Sequence, residues 1–389
     1  MRISVICQSR FHAFAMAKYF QERGFLHELV TGYPKKAVRL FGVATHNVKS
    51  VIINELINRL TYKIFGDIRF AYQADTLFDR IAAWRCRKDA DVYLLFSGAA
   101  LHSMRAIRAR NPKALLILVR ASAHIQVQES LLRQTSGRMK QVIDQHIIDK
   151  ELKEYALADY IAVPSSFAQK SFLDQGFAPE KIFTNLLGVD LNEFPFYPKT
   201  GTTSGPLIVG NVGAISAQKN VIGIIKAVAS LREKGLNVKL VLAGAVESGF
   251  PTGLLQLPFI DYRGKLPQNQ LHRVYKEMDV FVINSVQEGL AMVQMQAMSC
   301  GLPIVSTVNA GGLDLVKEGV NGFVIPIMDN DALAQKLAWF YYNREQIPAM
   351  GAQSRRSVET GLSWDDFGER NIQFFKQVLQ ERKLASVHD

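Results

Sequence analysis

The chain has 389 residues, a length that suggests two domains, and at 48% apolar and 21% charged it has the composition of a globular protein with material for two cores. Its net charge of +11 is one-sided: residues 1–188 hold 27 Lys and Arg against 16 Asp and Glu, net +11, while residues 189–389 hold 19 of each. No apolar run reaches the length of a membrane span, the three cysteines (Cys7, Cys86, Cys300) and eight histidines show no metal-ligand spacing, and no basic segment is interleaved with stacking aromatics, so a transmembrane protein, a zinc protein and a nucleic-acid binder are set aside.

A first strand is read at Arg2 to Cys7, too brief for a signal peptide and pointing to a cytoplasmic chain. A helix follows from Phe11 to Gln21, stopped by Gly24. The turn between them has no glycine. Arg10 and His12 stand there instead, either as side chains reaching a ligand or as an exposed arginine and a helix-capping histidine. His27 to Thr31 reads as the second strand, and residues 35–88 as a helical insertion, with helical spacing in Val48–Phe65 and Ile68–Arg87. The first of these, with Lys49, Arg59 and Lys63 flanking Val51, Ile52, Ile53, Leu56, Ile57, Leu60 and Ile64, packs on its own sheet or lies on an anionic membrane.

Asp91 to Phe96 is a buried strand. Asp89 and Asp91 have the spacing of a metal-binding carboxylate pair, but they sit at its amino end, away from the ligand edge of such a sheet. Leu101 to Arg110 is a helix and Ala114 to Val119 a strand, after which Arg120 and His124 lie at a carboxyl edge where they can reach a ligand; a core histidine is the alternative for His124. Eight basic residues meet one acid between Arg105 and Lys140, a solvated surface or an attraction for an anionic membrane or acceptor. The helix Gln141 to Ala158 is read with Lys150, Glu151, Lys153 and Glu154 outward, followed by the strand Tyr160 to Val163, a helix capped by Ser165 and Ser166, and the strand Ile182 to Asn185.

Asn192 to Gly205 lacks periodicity and reads as a linker. The alternation then restarts: strand Leu207–Val212, helix Val221–Lys234, strand Val238–Ala243, short strand Phe259–Tyr262 and helix Gln268–Glu277. Val280 to Ile283 is a strand buried on both faces, since one-sided burial would alternate. Gln287-Glu288-Gly289 opens a helix from Leu290 to Cys300, stopped by Gly301 and Pro303. A strand to Ser306 runs into the glycine turn Asn309-Ala310-Gly311-Gly312. Asp329 caps the helix from Ala332, and a last helix spans Trp364 to Gln380.

The stretch from Glu288 to Pro303 resembles the donor-sugar site of the family 4 glycosyltransferases, retaining enzymes of the GT-B fold, whose signature is Glu, seven residues, Glu, then Ala-Met and Gly-x-Pro. Here Glu288 and seven residues lead to Gln296, Ala297, Met298, Gly301 and Pro303, so the second acid is an amide. The resemblance implies two Rossmann-like domains facing a cleft: an acceptor-binding domain at 1–190, a linker at 191–205, a nucleotide-sugar domain at 206–362, and a terminal helix at 363–389 crossing back. It also implies roles. Lys219, after the Gly213 turn, takes the position of the phosphate lysine, and Glu288 that of the acceptor for donor hydroxyls; His124 matches a histidine that faces the reacting sugar. The N–H groups of Gly289, Leu290, Ala291 and Met292 would receive the diphosphate, and Gln296 would hold the ribose without charge assistance.

A second family cation is replaced by Ala214, leaving Arg10, Arg120 or Arg263 to supply its charge from elsewhere in the cleft. The expected activity is sugar transfer from a nucleotide-diphosphate sugar to a saccharide or lipid-linked acceptor with retention, in cell-envelope or exopolysaccharide synthesis, without metal or other cofactor. The expected partners are donor, acceptor and an anionic membrane surface. A non-catalytic nucleotide-sugar-binding protein and a sugar-nucleotide epimerase are the alternatives.

Overall fold

The computed structural model describes residues 1–65, 70–136, 142–201 and 204–388. Ile68, Arg138, Lys140 and Gln141, assigned above to helices and a basic segment, lie outside the described residues, as do the side chains of Arg59 and Lys63. Two parallel sheets follow one another along the chain. The first comprises β1 (Ile3–Cys7), β2 (Leu26–Thr31), β3 (Val48–Ser50), β4 (Val92–Phe96), β5 (Leu115–Val119), β6 (Tyr160–Val163) and β7 (Ile182–Thr184), in the order β3-β2-β1-β4-β5-β6-β7. The second comprises β8 (Leu207–Val212), β9 (Val238–Ala243), β10 (Ile260–Tyr262), β11 (Val280–Ile283), β12 (Ile304–Thr307) and β13 (Gly322–Ile325), in the order β10-β9-β8-β11-β12-β13. The strand order reverses between β1 and β4 and again between β8 and β11, and ligands of such sheets bind at the carboxyl ends of the strands beside that reversal.

The buried strands are almost wholly apolar because helices cover both faces: β1, with Ser4 its one polar residue, and β4, β5 and β11 are buried throughout. The sheets sit in separate cores, one around Tyr93, Leu116 and Phe172, another around Leu240, Val282 and Phe340, and a third cluster runs between the domains through Phe20, Phe194, Tyr275 and Phe375. That third cluster depends on the helix Trp364–His388, which returns to the first domain. There Phe375 meets Phe20 at 6.2 Å, Phe374 stacks on Phe183 at 3.9 Å, and Tyr19 Oη donates to Glu369 at 2.8 Å. The chain crosses between domains twice, side by side, and Val189 bridges Ser363 at the crossing.

Three departures from the sequence reading have local causes. Val48 does not begin a helix: Val48–Ser50 pairs with β2 as the sheet's edge, and the helix starts at Ile53. Three residues are too few to display a strand period, so β3 merged with the helical spacing after it. Helices at Ile125–Ser136 and Ile347–Glu359 were not read as elements. Lys150, Glu151 and Glu154 do not face outward; all three are buried, on the helix Gln145–Leu157. The Glu154 carboxylate accepts from the backbone N–H groups of Gly98, Ala100 and Leu101, capping a helix distant in sequence, while burial and the adjacent Glu151 push its carboxyl up to about 8.

Candidate active site

The reversal points of the two sheets face one another, and the loops after β1, β8 and β11 carry the candidate side chains. Gly213 follows β8 with φ +146°, a conformation that favours glycine, and the turn it begins delivers Lys219 just before the helix Val221–Glu233. Lys219 Nζ is ion-paired with the Glu288 carboxylate, both side chains mostly but not wholly covered. Two bonds fix the turn that carries Glu288: the Glu288 N–H donates to the Asn309 carbonyl at 3.1 Å, and Gln218 Nε2 donates to the Gln287 carbonyl at 2.9 Å. The residues expected to serve as phosphate lysine and hydroxyl acceptor are therefore neighbours, each neutralising the other's charge.

Gly289 is where the domains touch. A Cβ there would stand 1.9 Å from the Ala121 carbonyl oxygen, so any side chain would push the first domain away. Ser165 Oγ donates to the Gly289 carbonyl at 2.5 Å, and Gln287 Nε2 bonds to Ser122 Oγ. Asp314, after the Gly311-Gly312 turn, accepts from the Ser166 N–H at 3.0 Å and its hydroxyl at 3.0 Å, capping a first-domain helix from the second domain. Beside this seam lies an open cavity of about 520 Å³, walled by Arg10, His12 and Lys18 on one side and Gln268, Met292 and Gln296 on the other. Lys219 and Glu288 are not part of that wall; Glu288 precedes, by one short loop, the helix Met292–Ser299 that supplies Met292 and Gln296.

Gln296 is buried, with its Oε1 accepting from Tyr275 Oη at 3.0 Å, which leaves the amide nitrogen as its donor toward the cavity. Of the four N–H groups assigned to the diphosphate, that of Ala291 donates to the Ala310 carbonyl at 3.3 Å; those of Gly289, Leu290 and Met292 head the helix Met292–Ser299.

The three candidate arginines part company here. Arg120 is buried and fully enlisted within the first domain: Nε donates to the Ala123 carbonyl at 3.0 Å, Nη1 pairs with Glu151 at 3.1 Å, and Nη2 donates to Gln128 at 2.5 Å. Arg263 forks onto Asp261 through two bonds of 2.7 Å and reaches Glu277 at 2.7 Å on an exposed flank. Arg10 lines the cavity, held by one 3.3 Å bond to Gln268 across the cleft and by its position 4.9 Å over the Phe41 ring. Arg10 is the candidate that the fold leaves in the cleft.

Of the two histidines, one leaves the cleft and the other lines it. His124 is 1% exposed, its ring boxed by Tyr155, Phe172 and Phe177 at 5.0–5.7 Å, so it belongs to the first domain's aromatic core and does not wall the cavity. Burial and the Arg120 charge hold it down to about 4, hence neutral. His12 does reach the cavity wall, but it too is buried, against Phe96 and Phe367, and is held down to about 4 by desolvation. Gln268 and Asn269, in the wall opposite Arg10, were not singled out from sequence; their position just after the turn that follows β10 was the available signal.

Two parallel-sheet domains with their reversal points across a cleft and a last helix crossing back make up the GT-B architecture, with the Lys219–Glu288 pair on the edge of the second domain. Residues 195–357, which span most of the second domain, match the family described as Glycosyl transferases group 1. WcaL of Escherichia coli, named for colanic acid biosynthesis, is 28% identical over 220 residues, 54% of this chain and 51% of WcaL, so the match spans about half the length of that relative. The amylovoran biosynthesis glycosyltransferase AmsK of Erwinia amylovora is 22% identical over 87% of this chain and 80% of its own. The structure of Anabaena HepE in complex with UDP superposes with a TM-score of 0.70 at 14% identity, over 97% of this chain and all of that one.

If Gln296 holds the ribose, Gln296→Ala weakens binding of a nucleoside diphosphate by about 1–3 kcal/mol, the cost of stranding buried hydrogen-bonding groups, Tyr275 Oη included. Gln296→Glu keeps the Tyr275 bond and binds as well or better. Calorimetry on the three proteins decides, and indistinguishable affinities would place the ribose elsewhere.

Proposed function

We propose that this protein transfers a sugar from a nucleotide-diphosphate sugar to a saccharide or lipid-linked acceptor, with retention of anomeric configuration and without a metal ion, in the synthesis of an extracellular or cell-envelope glycan. The observation that carries the reading is the Lys219–Glu288 pair at the head of the helix whose first turns, Met292 and Gln296, wall the interdomain cavity. When the bond from the anomeric carbon to the diphosphate breaks, the nucleoside diphosphate leaves with the electron pair, and its charge needs fixed positive partners in a site shielded from water. Lys219 supplies one. Arg10 supplies the second, in place of the cation lost at Ala214. Glu288, freed from Lys219 by the diphosphate, accepts from the donor sugar's hydroxyls. Retention is inferred from the stretch Glu288 to Pro303, which resembles the pattern of retaining enzymes with Gln296 in place of its second acid.

The metal-free reading is supported by where the carboxylates lie. Asp89 is paired with Arg2 at 2.8 Å and His27 at 2.9 Å, and Asp91 accepts from the Arg2 N–H at 2.6 Å, all at the amino end of the first sheet. Asp329 accepts from the Ala332 N–H as a helix cap. Mass spectrometry after incubation with a panel of nucleotide sugars, UDP-sugars first because HepE is described with UDP, and with saccharide and lipid-linked acceptors tests the function. Product NMR tests retention. Turnover is expected to survive excess chelator; loss of activity that manganese restores would refute the metal-free mechanism. Donor binding without any product would favour the non-catalytic alternative.

A further inference from the structure

A side chain of the first domain completes the loop that carries Glu288 in the second. Ser165 follows β6 and is buried. Its hydroxyl accepts from the Ala168 N–H at 3.2 Å, so its single proton is left for the Gly289 carbonyl, 2.5 Å away in the other domain. Ala121, in the neighbouring first-domain loop, presses on the same glycine so closely that no side chain fits between them. On the far side Leu290 is locked by its own packing, since a Cβ on Gly311 would stand 2.2 Å from Leu290 Cδ1. The Gly289–Leu290 peptide is thus held at both ends.

That peptide carries the Leu290 N–H. No peptide bond among the described residues is cis, and in a planar trans peptide the N–H points opposite to the carbonyl. By holding the carbonyl toward the first domain, Ser165 turns the Leu290 N–H away from it. A glycine has no Cβ to bar the flipped orientation, so the restraint comes from the hydroxyl. The N–H groups of Glu288 and Ala291 donate to Asn309 and Ala310, whereas that of Leu290 has no partner among the described residues. Leu290 stands two residues after Glu288 and six before Gln296. On a donor strung from a ribose at Gln296 to a sugar at Glu288, it therefore meets the outer phosphate, the one bonded to the sugar.

We propose that Ser165 is a positioning residue that aims the Leu290 N–H at the outer phosphate of the donor, so that the second domain's phosphate site is completed by the first; this rests on the nucleotide-sugar reading above. Calorimetry with UDP and UMP, and with GDP and GMP, tests it. For the pair that the wild type binds, Ser165→Ala is expected to lower diphosphate affinity about tenfold or more and monophosphate affinity by no more than about twofold, because the monophosphate lacks the outer phosphate. Ser165→Thr keeps a hydroxyl for both bonds and should restore the diphosphate affinity. Ser165→Ala also removes a helix cap and lowers the melting temperature. Gly289→Ala leaves that cap alone, forces Ala121 away and should show the same selective loss. Equal losses for diphosphate and monophosphate, unchanged affinities in both variants, or a threonine variant no better than the alanine one would overturn the proposal. A wild type that binds neither pair would remove the nucleotide-sugar reading and this role together. The expected selective loss in a protein that makes no sugar product would leave the role standing and sink the transferase reading alone.

Discussion

Lys219→Ala is expected to lower turnover by about a hundredfold or more, the usual consequence of removing one fixed charge from a leaving group in a shielded site. The fold should survive. The Glu288 carboxylate left behind is 16% exposed, so water reaches it, and the loss of its partner costs about 1 kcal/mol of stability. The effect should fall mainly on kcat, because negative charge on the diphosphate grows as the anomeric bond stretches, whereas ground-state binding also draws on Gln296 and the helix N-terminus at Met292. Lys219→Arg keeps the charge on a longer, planar group and should retain a measurable fraction of turnover. Steady-state kinetics beside thermal melts separate these effects. A folded Lys219→Ala protein with normal kcat would remove the lysine from the chemistry and, with it, the carrying observation for the transferase reading.

Between pH 6.5 and about pH 4 the protein is expected to lose stability through two buried histidines. Burial holds His12, and burial with the Arg120 charge holds His124, to about 4 in the folded chain, whereas both return to the ordinary 6.5 on unfolding. In that window the unfolded chain binds protons that the folded chain refuses, so stability is full above pH 6.5 and falls as pH drops toward 4, by on the order of 3 kcal/mol for each histidine. Glu154 and Asp75, whose carboxyls burial pushes up to about 8 and about 6, act with the opposite sign and offset most of the fall in the wild type. The difference between the wild type and His124→Phe, whose ring suits the box of Tyr155, Phe172 and Phe177, isolates the histidine. On going from pH 7 to pH 5, the denaturant midpoint of the variant should rise relative to that of the wild type. The same slope in both proteins would mean that His124 is protonated in the folded state.

The strands were the most legible part of the sequence. β8, β9 and β11 were read with their observed bounds, because parallel strands covered on both faces are mainly apolar between their turns, Lys239 and Asn211 being the polar exceptions. In the second domain the candidate residues were easier to place for a related reason: glycine turns and helix starts are local signals, Lys219 and Glu288 stand on them, and Gln296 lies about one turn into the helix that follows Glu288. The first-domain site was not. Arg120 and His124 do follow a strand at the carboxyl edge, as read, but which way a side chain turns there depends on Glu151, Tyr155 and Phe172, some 30 to 50 residues away, as the Arg120–Glu151 and His124–Phe172 contacts show. Glu154 was misplaced for the same reason: an i, i+3, i+4 charge pattern looks like a solvated face until the helix end that it caps comes into view.

The return of the helix Trp364–His388 makes the first domain discontinuous in sequence, and this bears on the order in which the protein can assemble. The second domain's sheet lies within one uninterrupted stretch, Leu207–Ile325, and can close as that stretch becomes available. The first domain's sheet precedes it along the chain, yet Phe20, Tyr19 and Phe183 keep an apolar, half-roofed seat until Glu369, Phe374 and Phe375 arrive, 350 residues after Tyr19 in the case of Glu369. During synthesis the earlier domain therefore waits on the later one. Its exposed seat over that interval is the vulnerable moment in the life of the chain, the point at which a chaperone is needed or a truncated product is lost to proteolysis.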